Sequence, residues 1–182
     1  MLTRWSVLLA MSLYVMALAM RWGVRSGRSG RALSRLAWTG GCALFLLHVT
    51  FAFEFHHAWS HTSALAATAR RTEQIIGVRW GGGLYLNYLF MVLWMADVCW
   101  WWLSLERYEA RDRLIEGCLQ CFFALMWFNA TVVFGRGVAR WLGLSEFLVL
   151  SAALWVRYVT QIHRRHASCS DESCHLTRRR KP

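Results

Sequence analysis

Five apolar blocks, each close to the length that crosses a bilayer and separated from the next by basic or polar residues, dominate this chain. A membrane-crossing helix needs about 20 mainly apolar residues, because hydrocarbon offers no partner to an unpaired backbone N–H or C=O. The blocks fall at about 5–22, 36–55, 84–103, 114–134 and 142–162. They predict an all-α integral membrane domain over residues 1–162 and a basic tail over 163–182. Composition agrees: 57% of the residues are hydrophobic and 15% aromatic, where soluble domains hold about 45–50% apolar residues. Trp5, Trp22, Trp38, Trp80 and Trp141 stand near block ends, the headgroup level that tryptophan favours.

A net charge of +11 would suit a nucleic-acid partner if the basic residues shared one surface. They lie instead between and after the blocks. With the N-terminus outside, 15 of the 21 Lys and Arg residues fall on the inner side, from Arg21 to Arg35, from Arg107 to Arg113 and from Arg157 onward. Positive charge marks cytoplasmic loops, so the expected topology is N-out and C-in, in a bacterial-type inner (plasma) membrane. Nucleic acid is set aside as a partner. The bilayer itself, a membrane-protein partner or a second copy remains. Residues 1–19 also fit a cleaved signal peptide, with Ala17-Leu18-Ala19 as the small-x-small site. That alternative would leave the arginine-rich segment after residue 20 outside, against the charge rule.

About 28 residues separate blocks two and three, too many for a simple connection. Leu65, Ala69 and Ile76 recur there at near-helical spacing before Gly77, which predicts a short interfacial helix over residues 62–76.

Polar groups inside such blocks are costly and therefore point to function. Counted at about 1.5 Å per residue from the block ends, Glu54, Asn87, Asn129 and Glu146 share one depth in the outer leaflet. Glu54, His57 and His61 are spaced i, i+3, i+7, within about 60° on one helical face. Two imidazoles and a carboxylate so placed suit a transition metal (Zn, Cu or Fe), with Asn87, Asn129 and Glu146 as a supporting polar shell. Glu54-x-x-His57 is half of the paired motif of di-iron bundles, and the second half is missing. His48 lies deeper, about 120° from Glu54. It fits an axial haem ligand less well than an interhelix contact, because no other block carries a histidine.

Towards the inner side, Asp97, Glu116 and Arg157 occupy blocks three, four and five, which predicts an ion pair between helices. Cys118-x-x-Cys121 has no basic neighbour to favour a thiolate and reads as packing. The tail's His163, His166, Cys169, Cys174 and His175 match no tight zinc spacing, and its arginines suit anionic lipid.

The leading expectation is therefore a small membrane subunit that binds a transition metal or redox cofactor at the outer His/Glu cluster. The alternative is a non-catalytic scaffold or assembly subunit of a membrane complex.

Overall fold

The chain's one proline is its last residue, so every apolar block keeps a full set of backbone N–H donors. Each block can therefore close its hydrogen bonds along a helix. A computed structural model describes residues 2–22, 28–135, 137–152, 155 and 159. Of these, 89% are helical and none is in a strand.

Helix α1 spans Leu2–Trp22 and α2 spans Arg28–Ala52, continued by a π-helical turn over Phe53–His57. Next comes α3, His61–Ile76. Helix α4 covers Gly83–Leu103, α5 is a short helix at Leu105–Glu109, and α6 covers Arg113–Phe128 before a second π-helical turn at Asn129–Val133. Residues 138–152 form α7. Two compact units divide the chain, Met1–Glu146 and Phe147–Pro182. In the second, residues 147–152 are helical.

Among the described residues, three stretches are long and apolar enough to cross a membrane: Ser29–His57, Gly83–Leu103 and Arg113–Val133. Trp5–Arg21 is apolar but shorter. The fifth block is described as helix only as far as residue 152. Helix α2 begins eight residues before the apolar block that marked it, because Ser29-Gly30-Arg31-Ala32-Leu33 contains no residue that stops a helix. Hydropathy locates the apolar part of a helix and not its hydrogen-bonded ends.

The connecting elements are capped by their own side chains. Ser60 accepts from the Ser63 N–H at 3.2 Å to start α3, and Gly77 ends it at φ 76°, a left-handed position that glycine adopts without a Cβ clash. Asp112 accepts from the Leu114 N–H at 2.6 Å and starts α6.

One aromatic cluster joins four helices. Trp94 of α4, fully buried, lies 5.4 Å from Trp38 of α2, 5.1 Å from Phe90, 5.9 Å from Phe123 of α6 and 6.2 Å from Tyr14 of α1, centroid to centroid. Such tilted and edge-on pairs are each worth about 0.5–1.5 kcal/mol beyond area burial. Gly41 is what lets the cluster close. A Cβ there would stand 2.9 Å from Trp94 Cζ2 and 3.2 Å from the Ala10 carbonyl oxygen, so α1, α2 and α4 meet where a side chain is missing. Ser34 adds a buried hydrogen bond from its hydroxyl to the Ala17 carbonyl, 2.9 Å, which ties α2 to α1.

Gln120 shares the buried face of α6 with Phe123 and Trp127, yet neither atom of its amide has a hydrogen-bond partner among the described residues. An unsatisfied buried amide costs about 1–3 kcal/mol. Gln120→Leu is therefore expected to raise the thermal unfolding midpoint in detergent, followed by tryptophan fluorescence. A lowered midpoint contradicts this reading of the amide.

Candidate functional site

The expected metal set depends on one unbroken helix from Glu54 to His61, and the chain is not helical throughout that interval. After the π-helical turn, Ala58 and Trp59 both take positive φ (44° and 58°), and Ser60 begins a separate helix. Left-handed backbone costs an ordinary residue about 1–2 kcal/mol, and two in succession redirect the chain. The i, i+3, i+7 geometry therefore does not hold. Glu54 instead accepts a hydrogen bond from its own neighbour, the Trp59 indole N–H, at 2.6 Å. His57 packs edge-on against Phe53 and beside His56. His61 faces Tyr85 and Tyr88 of α4, with centroids at 5.8 and 6.0 Å. Among the described residues, no three His, Cys, Asp or Glu side chains stand where they could hold one metal ion.

The remaining polar residues separate into three places. His48 contacts α1: Nδ1–H donates to the Thr3 carbonyl at 2.7 Å. That is an interhelix hydrogen bond, and it sets the imidazole tautomer. Glu146 accepts from the Ser12 hydroxyl at 2.6 Å and from the Trp127 indole at 3.3 Å, joining the middle of α7 to α1 and α6. Asn87 and Asn129 line a common cavity of about 440 Å³ between α3, α4 and the second π-helical turn, with Arg71 on its wall. Depth counting placed four polar groups at one level, and two of them share a cavity.

At the opposite ends of these helices, Asp97 and Glu116 come together through a cation that sequence reading assigned to a loop. Arg111 Nη1 lies 2.6 Å from Asp97 Oδ1, with both side chains almost wholly buried. Arg111 also reaches Glu116: Nε donates to Oε2 at 3.4 Å, and Nη2 lies at ion-pair distance, 3.3 Å from Oε1. Arg21 of α1 closes the set at 2.7 Å from Glu116 Oε1. Two arginines and two carboxylates give the group no net charge. Arg157, the cation expected from sequence, lies outside the described residues.

Tyr108 is the keystone of this network. Its hydroxyl donates to Asp97 Oδ2 at 3.0 Å and accepts from Arg21 Nη1 at 3.1 Å. The ring stacks on Trp101 at 4.8 Å, 6° from parallel, and Arg111 covers it at 4.3 Å. Burial and the Asp97 charge push the phenol up to about 12, against the opposing pull of Arg21 and Arg111. The neutral donor is thus favoured by folding, a contribution complete below pH 10 and lost only as pH rises through about 12. Arg111 is also raised: burial works against its charge, and the hydrogen bonds to Glu116 and Asp97 outweigh that.

These residues were missed because Arg107-Tyr108-Glu109-Ala110-Arg111-Asp112 is charged enough to pass for a solvated loop. The available signal was Tyr108, an aromatic ring alone in that run. A ring among charges needs a face to pack on, and α5 turns it back onto Trp101.

Comparison of the chain with protein-family models, with characterised proteins and with solved structures yields no match. Cys42, Cys99, Cys118 and Cys121 are free thiols, three of them exposed. The tail cysteines and histidines lie outside the described residues.

Proposed function

We propose that this chain is a multi-pass protein of five membrane spans, N-terminus outside and C-terminus in the cytoplasm, that serves as a non-catalytic scaffold or assembly subunit of a membrane complex. One observation carries this reading: each of the four carboxylates inside an apolar block is taken up by a donor of the same chain. Glu54 holds Trp59, Asp97 holds Arg111 and Tyr108, Glu116 holds Arg21 and Arg111, and Glu146 holds Ser12 and Trp127. Asp97, Glu116 and Glu146 in this way tie helices together, and Glu54 braces the turn after α2. Catalytic or ligating groups would instead converge on a common point.

The spans and orientation draw on the same features. Fifteen of 21 basic residues fall on the proposed inner side. Helix α1 is locked to α2 by Ser34 and His48, and Ala10, Met11, Tyr14, Ala17 and Leu18 are buried, which favours its retention over removal as a signal peptide. Large apolar side chains such as Leu9, Leu47, Leu89, Val92 and Leu125 are exposed along the helices, a surface for lipid or a membrane partner.

The test is the elemental composition and optical spectrum of the detergent-purified chain. The scaffold reading expects less than stoichiometric metal and no haem absorbance, with His57→Ala and His61→Ala leaving both unchanged. Stoichiometric metal or haem in the wild-type chain that either substitution removes overturns it.

A further inference from the structure

The cavity beside α3 has no part in the scaffold reading, and its lining is specific. Its 440 Å³ lies within the range of about 300–1,000 Å³ typical of small-molecule sites. Its lining combines apolar side chains, among them Leu86, Met126, Val133 and Phe134, with the polar Arg71, Asn87 and Asn129. The Arg71 guanidinium is anchored there by donating to the Phe134 carbonyl at 3.2 Å, so its positive charge has a fixed place in the lining. Neither carboxamide side chain has a hydrogen-bond partner among the described residues. Asn87 is exposed and Asn129 half-buried on apolar helices, so both amides are open to a hydrogen-bonding partner from outside the chain. The π-helical turn at Asn129–Val133 contributes as well, since it places Asn129 and Val133 on the cavity wall within one turn.

We infer that this cavity binds an anionic amphiphile, its phosphate or carboxylate head held by Arg71, Asn87 and Asn129 and its alkyl chain packed against Leu86, Met126, Val133 and Phe134. The cation selects for negative charge, the two amides supply hydrogen bonds that a hydrated ion does not need, and the apolar side chains of the lining reward a hydrocarbon tail. A free oxyanion would use the first feature alone. The inference goes beyond the scaffold role and holds for either orientation of the chain.

The experiment is titration of the full-length chain in detergent with dihexanoyl phosphatidate, read by calorimetry, with inorganic phosphate and dihexanoyl phosphatidylcholine as comparison ligands. One phosphatidate per chain is expected to bind at least about tenfold more tightly than either comparison. Arg71→Gln should weaken it by about tenfold or more. Asn87→Leu and Asn129→Leu should each weaken it several-fold while leaving the thermal midpoint of the unliganded chain unchanged or raised. A merely structural amide would lower that midpoint. Equal affinity for inorganic phosphate makes the cavity a free-anion site and overturns the proposal. So does equal affinity for the zwitterionic analogue, or unaltered phosphatidate binding by both asparagine variants.

Discussion

Arg111→Ala is expected to cost about 3–5 kcal/mol of stability, enough to prevent accumulation of the folded chain in a marginal membrane protein. The loss comes from what is left behind. Asp97 is 3% exposed, and without Arg111 its charge keeps, among the described residues, only the Tyr108 hydroxyl as a hydrogen-bond partner. Glu116 is less affected, because its carboxylate is partly open to solvent and Arg21 remains at 2.7 Å. The two carboxylates therefore respond differently to the same substitution. Removing both members of the buried pair tests this cause: Asp97→Leu combined with Arg111→Met should recover most of the loss, since an apolar pair of similar size has no charge to desolvate. Thermal midpoints of the four proteins in one detergent complete the cycle. Additive effects would remove the ion pair from the account.

Trp94→Ala is expected to be about as damaging, at about 3–5 kcal/mol. In lipid, helix association draws little on the hydrophobic effect, because the acyl chains are as apolar as the side chains they displace. Packing and hydrogen bonds must carry it. Trp94 contacts Tyr14, Trp38, Phe45, Phe90 and Phe123 together, so its removal opens a void bordered by four helices. Gly41 sits directly beneath it and has no side chain with which to fill the space. Trp94→Phe should lose less, because a ring still occupies the centre. Equal losses from the two substitutions would contradict a packing origin. Intact-chain yield and thermal midpoint measure both.

Much of the helical architecture could be read in advance. Block length, the lack of internal proline and the glycine after Ile76 located α3 and α4 to within a residue or so. Those features act locally and leave a mark in the sequence. The sites were less legible, for two physical reasons. Helical spacing assumes an unbroken helix, and the positive φ values at Ala58 and Trp59 end it in the middle of the expected metal set. Neither residue is a glycine, so no composition signal announced the turn. The second reason is that charge in a loop is ordinarily solvated. Arg111 was counted as evidence for orientation, whereas it folds back through α5 into the most buried ion pair described. Asp97 and Glu116 were found because a carboxylate inside an apolar block stands out from its neighbours. An arginine among arginines and glutamates does not.

The most direct measurement is the accessibility of single cysteines, introduced into a cysteine-free chain in intact cells and labelled with a membrane-impermeant maleimide. Gln74→Cys on α3 and Ala110→Cys beside the Arg111 network lie at opposite ends of the helix bundle in the proposed topology, and Pro182→Cys reports the C-terminus. The account predicts that residue 74 labels in intact cells, and that residues 110 and 182 label only after the membrane is opened. Labelling of residue 110 or residue 182 from outside would contradict the five-span, C-in arrangement.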